Sequence, residues 1–343
     1  MTRLLIAAAI SMMVSLFGTK WLIRWLTEHR IGQPIRDDGP EGHHLKAGTP
    51  TMGGITLVLG VVAGYVVSDI VGGGVYTRRG ILVVLAIIGG GAVGLMDDWI
   101  KVVAARNLGL SKRAKMLGLL IVAVSFAFLM SEFTEVDYSI SFTRFDNPDW
   151  EIGRWLWMGW AVLLIAGTTN AVNLTDGLDG LASGAAALCF AAFTVIGFWQ
   201  FRHFDTYNNT AALDLAVVAA AMVGGIVGFL WWNAPPAQIF MGDTGSLAIG
   251  SGLAALALAT ETHLLLPVVG GLFVIETLSV ILQVMVFKRF NGRRLFRMAP
   301  IHHHFELSGW PETTILIRLW IMSGLCTAVG LGLFYADAIA ENL

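Results

Sequence analysis

Long apolar segments separated by short polar stretches run along the whole chain. Each contains about 20 mainly apolar residues, the length that crosses a bilayer as an α-helix. We find ten such spans, at residues 4–26, 53–71, 80–96, 116–131, 154–172, 180–201, 211–232, 245–261, 265–287 and 315–336. The pattern therefore predicts an all-α fold, a polytopic membrane helix bundle with ten transmembrane helices.

The composition excludes an ordinary soluble enzyme. Of the 343 residues, 56% are hydrophobic and only 13% are charged, whereas a typical soluble chain is about 25% charged. No linker, low-complexity tract or internal repeat divides the sequence, so we expect one integral-membrane domain over residues 1–343. The net charge of −2 says little about partners, and no nucleic-acid partner is expected.

The distribution of positive charge orients the bundle. With ten spans both termini lie on one side, and the other side carries the loops 27–52, 97–115, 173–179, 233–244 and 288–314. These loops and their helix ends hold fifteen of the 22 Lys and Arg residues. The positive-inside rule therefore places the five loops in the cytoplasm and both termini in the periplasm.

Each of these loops also carries a polar motif. The five motifs are His43–Gly54, Asp97–Asp98, Asn170–Gly180, Phe240–Ser246 and Pro300–Glu306. The external connections carry no comparable cluster, and the longest of them, 131–153, is expected to form an interfacial flap with Trp150, Trp155 and Trp157 at headgroup level. The motifs therefore predict a polar site at the cytoplasmic face of the membrane.

Asp97 and Asp98 follow directly on the third span. Adjacent carboxylates repel each other, and only a cation, a proton or a basic partner relieves the repulsion. Acids at a helix C-terminus also lie at the unfavourable end of the helix dipole, so ordinary solvated charge is the weaker interpretation. A divalent metal and a phosphate-bearing substrate would use this pair, with one carboxylate on the metal and the other acting as a base.

Asn170, Asn173, Asp176 and Asp179 recur every three residues at the inner end of the fifth span. This spacing keeps neighbours near one helical face, where they can hydrogen-bond a sugar, a base edge or a metal-bound water. A polar cap between two helices is the alternative, although a cap needs only one such residue.

Gly242 and Asp243 precede the eighth span. Thr244 or Ser246 could be the N-cap of that helix, with Asp243 near its positive end. Two glycines that flank an acid beside Phe240 instead favour a metal or nucleotide site.

His302, His303 and His304 follow five basic residues. Three consecutive side chains cannot all point one way, so at most two should contact a ligand, through phosphate hydrogen bonds or proton transfer. Lys46 is expected to meet a phosphate as a point charge.

Glu276 and Gln283 share one face of the ninth span. Glu276 lies at mid-membrane depth and must face protein or a wet cavity rather than lipid. A structural hydrogen bond and a functional role are both compatible with this position.

The motifs resemble, in type and order, those of the polyprenyl-phosphate N-acetylhexosamine-1-phosphate transferases: Asp97-Asp98-x-x-Lys101, Asn170–Gly180, Met241–Ser246 and Pro300–Glu306. The stretch from Lys46 to Gly54 and the three histidines are most similar to the members that use the N-acetylmuramoyl-pentapeptide nucleotide. The resemblance covers about His43 to Glu306. It implies ten spans and a homodimer in the bacterial inner membrane.

The resemblance also implies the reaction. UDP-N-acetylmuramoyl-pentapeptide and undecaprenyl phosphate would give lipid I and UMP, with Mg²⁺ as cofactor, in peptidoglycan synthesis. The lipid phosphate would attack the β-phosphorus in one step, and a two-step route through a phospho-aspartyl enzyme is the alternative. Positioning and charge neutralisation would dominate such a transfer.

Within this scheme the predicted site residues fall into three groups. The catalytic residues are Asp97, Asp98, Asp243, His302 and Lys46. The metal ligands are Asp243 and Asp98. The substrate-binding residues are Thr51, Lys101, Lys115, Asn170, Asn173, Asp176, Asp179, Phe240, Gly242, Gln283, His303 and His304, with Phe240 stacking on the base.

Two other functions fit parts of the sequence. A transporter or flippase also has ionisable residues within its helices, but its polar groups should lie near the midplane, often in broken helices of an inverted repeat. Here they cluster at one face, with Glu276 the main exception. A transferase that uses UDP-N-acetylglucosamine differs only in the donor, and the three histidines argue against it through the resemblance.

Overall fold

The structure is a computed structural model that describes residues 1–29, 31–32, 48–74, 76–103 and 109–340. In this part of the chain the helices are α1 (Thr2–Glu28), α2 (Gly54–Gly72), α3 (Arg78–Val103), α4 (Lys112–Phe133), α5 (Arg154–Thr175), α6 (Leu181–Arg202), α7 (Phe204–Tyr207), α8 (Ala212–Asn233), α9 (Gly242–Ala259), α10 (Leu266–Val269), α11 (Gly271–Arg289), α12 (Ile301–Glu306) and α13 (Glu312–Ala340). The two strands are β1 (Ser139–Ile140) and β2 (Trp150–Glu151).

Each predicted span overlaps one long helix of the described residues. Within the described residues, nine helices are long and apolar enough to cross a membrane, so the protein is an all-α, multi-pass membrane protein. The remaining long helix, α9, starts with polar residues and is rich in glycine and alanine. All its residues from Thr244 to Ala259 are buried, and it packs against α2, α3 and α5. The bundle is therefore built around a helix that other helices enclose.

Several predicted boundaries are wrong, and the errors change where site residues lie. The third helix does not end at Met96 but continues to Val103, so the acidic pair lies inside α3 rather than after it. The helices α4 and α9 likewise begin earlier than predicted, which places Lys115 and Asp243 in their first turns. The apolar pattern ends where charged residues begin, whereas α3 continues through Asp97 and Asp98, whose charges have partners within the protein.

The predicted ninth span is broken. Gly270 separates α10 from α11, and only four residues of α11 are buried: Leu272, Phe273, Glu276 and Ser279. The predicted loop 288–314 contains α12, which holds the three histidines. A helix of this length buries too little apolar surface to leave a periodic pattern in the sequence.

The external flap contains the small sheet, in which β1 and β2 are antiparallel. Asp337 on α13 anchors the flap, because its carboxylate accepts hydrogen bonds from Thr143 Oγ1 at 2.5 Å and Asn147 Nδ2 at 2.8 Å. Trp150 and Trp155 are exposed, as the flap interpretation expects. Trp157 differs from these two, because its side chain is fully buried against other helices and segments and does not face the lipid.

Candidate active site

Three carboxylates from two helices meet at one end of the bundle. Asp97 and Asp98 lie near the C-terminal end of α3, and Asp243 lies in the first turn of α9. One oxygen of each lies within 4.8 Å of the others, and Asp97 and Asp98 are buried. The structure thus brings together the second and fourth sequence motifs, which are far apart in the chain.

The ammonium group of Lys101 lies among these carboxylates. Its Nζ is 2.6 Å from Asp97 Oδ2, 2.7 Å from Asp243 Oδ2 and 3.5 Å from Asp98 Oδ1. Lys115 Nζ lies 2.9 Å from the same oxygen of Asp243. Three neighbouring negative charges are tolerated because two positive charges lie between them. Both lysines are predicted to bind substrate, and the structure places them on the acidic cluster.

Asp98 is hydrogen-bonded to the start of α9. Its Oδ1 accepts the N–H of Asp243 at 3.1 Å, and its Oδ2 accepts the N–H and the hydroxyl of Thr244 at 2.9 and 2.7 Å. The first N–H groups of a helix have no partner within it, and negative charge there is favoured by the helix dipole. The sequence analysis offers Thr244 or Ser246 as the N-cap of this helix. In the structure, the carboxylate of Asp98 from another helix caps it instead.

Gly242 permits this close approach. Its φ is +71°, and a Cβ at this position would lie 2.4 Å from Asp98 Oδ2 and 3.1 Å from Thr51 Oγ1. A Cβ on Gly94 of α3 would likewise lie 2.1 Å from the carbonyl oxygen of Asp243. Two positions without side chains therefore hold α3 against the first turn of α9.

Asn173 completes the surroundings of Asp243. Its Nδ2 donates to Asp243 Oδ1 at 2.6 Å and to Ser246 Oγ at 2.8 Å. Asn170, almost one turn earlier, donates instead to the carbonyl of Ala166 in its own helix at 2.7 Å. Of the hydrogen bonds described for these two side chains, only those of Asn173 reach the acidic cluster.

Asp176 and Asp179 lie in the turn between α5 and α6. Asp176 is partly exposed directly after α5, and its partial burial together with the negative charges of Asp243, Asp98 and Asp179 raises its pKa to about 8. Asp179 is buried, and its Oδ2 accepts the N–H of Ala237 at 3.0 Å. Asp176 is therefore coupled to the acidic cluster, whereas Asp179 holds the loop that leads into α9.

The segment before α2 is joined by its backbone to the segment before α9. Three hydrogen bonds of 2.8, 3.0 and 3.0 Å connect Pro50, Gly53 and Gly54 with Phe240 and Met241. This pairing brings the first motif to the fourth. The half-buried ring of Phe240 lies at the junction.

Of the two predicted site residues in the first motif, the structure describes Thr51 but not Lys46. Thr51 is buried, and its hydroxyl lies close to Gly242 at the acidic cluster. Lys46, together with His43 and His44, lies outside the described residues.

The three histidines have three different partners. The distances are 3.0 Å from His302 Nδ1 to Glu276 Oε2, 2.6 Å from His303 Nδ1 to Glu306 Oε2, and 3.2 Å from the N–H of Arg297 to His304 Nδ1. Only the first histidine of the three is fully buried. The chain positions of Glu276 and His302 give no indication of this pair, because they lie on different helices. A carboxylate in the middle of an apolar span was the available signal that some partner exists.

The structure places the amide of Gln283 on the loop between α11 and α12. Its Nε2 donates to the carbonyl of Phe296 at 3.1 Å. Its Oε1 accepts the N–H groups of Leu295 at 3.0 Å and Phe296 at 2.9 Å. A residue predicted to bind substrate thus shapes the basic segment that precedes the histidines.

The acidic cluster has the donor set that a hard divalent cation prefers. Mg²⁺ binds through carboxylate oxygens, and Asp97, Asp98 and Asp243 each offer one oxygen in a common space. The same three carboxylates already surround one positive charge, the ammonium group of Lys101. The residues present therefore fit a hard divalent metal such as Mg²⁺.

Comparison with known proteins gives this arrangement a class. Residues 80–261 match the family described as Glycosyl transferase family 4. The matched range runs from α3 to just beyond α9 and contains all three carboxylates. The fold and the site thus define a membrane-embedded glycosyl transferase of this type.

Full-length relatives are more specific. A protein of Cutibacterium acnes is 48% identical over 99% of both chains, one of Streptomyces griseus is 48% identical over 100% of both, and one of Thermobifida fusca is 51% identical over 98% of this chain and 99% of its own. All three are named phospho-N-acetylmuramoyl-pentapeptide-transferase. The chain therefore belongs to the phospho-N-acetylmuramoyl-pentapeptide-transferase family and is a transferase enzyme.

Proposed function

We propose that this chain transfers phospho-N-acetylmuramoyl-pentapeptide from UDP-N-acetylmuramoyl-pentapeptide to undecaprenyl phosphate, giving lipid I and UMP in peptidoglycan synthesis. The observation that carries the proposal is the acidic cluster with its two lysines, in a chain 48–51% identical to the relatives named above. A reaction between a diphosphate and a phosphate brings several negative charges together, and carboxylate-bound metal with ammonium groups is suited to neutralise them.

The reaction exchanges one phosphorus–oxygen bond for another. An oxygen of the lipid phosphate attacks the β-phosphorus of the nucleotide, and the bond from this phosphorus to UMP breaks. UMP leaves with the electron pair of that bond. Little covalent help from the protein is needed, so positioning and charge neutralisation dominate the rate.

The acidic cluster supplies the groups closest to the reacting atoms. Asp243 and Asp98 hold Mg²⁺, which when bound neutralises phosphate charge. Asp97 orients the lipid phosphate or takes a proton from it. Lys101 and Lys115 donate to phosphate oxygens.

The turn after α5 and the loop before α9 form the nucleotide side of the site. Asn173 and Asp176 lie at the acidic cluster, and Asp179 holds the backbone that carries Phe240, which stacks on the base. The other predicted contacts on this side are Thr51, Asn170 and Gly242. The remaining predicted contacts handle the phosphates and the rest of the donor: His302, His303, His304, Gln283 and Lys46.

The excess of Lys and Arg in the loops that contain the motifs supports a location in the bacterial inner membrane with the active site on the cytoplasmic face. There the protein meets the nucleotide from the cytoplasm and undecaprenyl phosphate from the membrane. The chain works as one domain and assembles as a homodimer.

The test is UMP release by purified protein in detergent with undecaprenyl phosphate and Mg²⁺. The muramoyl-pentapeptide nucleotide and UDP-N-acetylglucosamine are supplied separately. We expect turnover of the first nucleotide only. Turnover of the second alone would overturn the donor assignment, and no metal-dependent release by folded protein would favour a transporter.

Initial-rate kinetics test the single displacement. We expect a ternary-complex pattern when both substrates are varied. Isolation of a phospho-aspartyl enzyme would instead establish the two-step route.

A further inference from the structure

A buried pair connects the ninth span with the histidine segment. Glu276 on α11 and His302 on α12 are both fully buried, and Glu276 Oε2 lies 3.0 Å from His302 Nδ1. Glu276 Oε1 and His302 Nε2 are also buried and have no hydrogen-bond partner among the described residues. The pair is thus enclosed by protein, with one polar atom of each side chain left over.

Packing alone does not explain this pair. Burying a carboxylate with a single partner is costly, and an apolar side chain would fill the same volume without that cost. A carboxylate opposite Nδ1 has a specific consequence for a histidine: Nδ1 carries the proton and donates it, and Nε2 keeps its lone pair. Glu276 therefore selects one tautomer and one ring orientation.

The free nitrogen of this ring lies against the turn after α5. A Cβ on Gly177 would lie 2.3 Å from His302 Nε2 and 2.9 Å from its Cε1. Gly177 directly follows Asp176, and Asn173, one turn earlier, donates to Asp243. The ring of His302 thus supports the backbone at the end of α5, which in turn borders the acidic cluster.

We infer that Glu276 is a positioning residue for the transfer reaction, which fixes the tautomer and orientation of His302 and thereby the turn that carries Asp176. This inference rests on the proposed function. It also gives Glu276, the mid-membrane carboxylate of the ninth predicted span, a partner within the protein. A transport path is then not needed to explain why Glu276 is there.

Kinetics of three variants test the role. Glu276→Ala should lower kcat about 10- to 100-fold, the loss typical when a metal-bound histidine loses its carboxylate partner, and change the KM for the nucleotide less than kcat. Glu276→Gln should lose less, because its Oε1 still accepts the Nδ1 hydrogen bond. Thr277→Val, which removes a hydroxyl bonded to the carbonyl of Phe273 in the same helix, is the matched control and should keep kcat. Full activity of folded Glu276→Ala would overturn the inference.

A double variant tests whether Glu276 acts through His302. If it does, Glu276→Ala combined with His302→Ala should be no slower than His302→Ala alone. Losses that multiply would show two independent roles and would also overturn the inference.

The tautomer of His302 distinguishes a positioning role of Glu276 from a merely structural one. Nitrogen NMR of histidine-labelled protein, with His302→Gln to identify the signal, should show the proton on Nδ1 in the native chain and its shift to Nε2 in Glu276→Ala. Where the alanine variant does not fold, Glu276→Gln should show a mixture of the two tautomers. An unchanged tautomer contradicts the inference even in an active enzyme, whereas a native chain without transfer activity would refute the proposed function.

Discussion

Asp98 and Thr244 are joined by two hydrogen bonds, because the backbone N–H and the hydroxyl of Thr244 both donate to Oδ2 of Asp98. The bonds tie the end of α3 to the first turn of α9. Asp97, the adjacent acid, has other partners: the N–H of Leu110 at 2.8 Å and the ammonium group of Lys101. Two neighbouring aspartates thus have different roles: Asp98 holds two helices together, whereas Asp97 pairs with the ammonium group of Lys101.

Replacing either proposed metal ligand, Asp98 or Asp243, by asparagine should weaken Mg²⁺ binding, but only the Asp98 variant should also lose stability. Asp98→Asn removes the charge that caps α9 and should lower the free energy of unfolding by about 1–2 kcal/mol. Asp243→Asn leaves this cap in place and should raise the Mg²⁺ requirement or abolish turnover. Thermal unfolding in detergent and UMP release against Mg²⁺ concentration measure the two effects. Equal stability of Asp98→Asn and native protein, or normal metal dependence of Asp243→Asn, would contradict the assignments.

Gly242→Ala should inactivate the protein by displacing a neighbour. Its Cβ would lie 2.4 Å from Asp98 Oδ2, so the carboxylate of Asp98 and the start of α9 must move apart. We expect turnover to fall at least about 100-fold, as for other misplacements of about 1 Å. Gly153→Ala is the matched control, because Gly153 has a similar φ of +74° with no atom near the added Cβ. It should lose some stability through backbone strain and keep its activity; equal loss of activity in both variants would refute the clash.

Lys101→Gln should strengthen metal binding. The ammonium group lies 2.6–3.5 Å from all three carboxylates, so it competes with a divalent cation for the same oxygens. Its removal should tighten Mn²⁺ binding, measured by electron paramagnetic resonance, at least about tenfold. Lys112→Gln removes an exposed charge from the start of α4 and should leave Mn²⁺ affinity unchanged. Identical Mn²⁺ affinities in both variants would show that Lys101 does not compete.

His263 should make the protein sensitive to acid. Burial lowers the pKa of this histidine to about 4, whereas an unfolded chain titrates near about 6.5. Between these values the unfolded state binds a proton that the folded state does not, so stability falls as the pH drops from 6.5 to 4, by up to about 3 kcal/mol. His263→Gln should flatten the unfolding temperature over this window. The exposed His29 provides the control variant, His29→Gln, and an unchanged pH dependence of His263→Gln would exclude the proposed cause.

The apolar pattern was sufficient to find every long helix in the described part of the chain, including α9, whose glycines and alanines still form a span-length segment. It could not locate helix ends where charged residues have partners inside the protein, and so it ended α3 before Asp97. The motifs indicated which loops to bring together, but not the contacts between them. Spacing along the chain does not reveal that Asp98 caps α9 or that Gln283 binds the backbone at Phe296, because these contacts depend on how separate elements pack.

The enclosure of α9 by other helices has a consequence for how the protein is made. Insertion into a membrane during synthesis depends on the apolarity of each segment. Among the long helices of the described residues, α9 is the one that is not apolar enough over its length to count as a membrane span. Its partners α2, α3 and α5 precede it in the chain, so they are already in the membrane when α9 emerges from the ribosome. We therefore expect α9 to enter the bilayer in a nascent chain that contains these helices and to remain outside when fused alone to a glycosylation reporter. The order of the helices along the chain thus provides α9, whose first turn is polar, with its packing partners in advance.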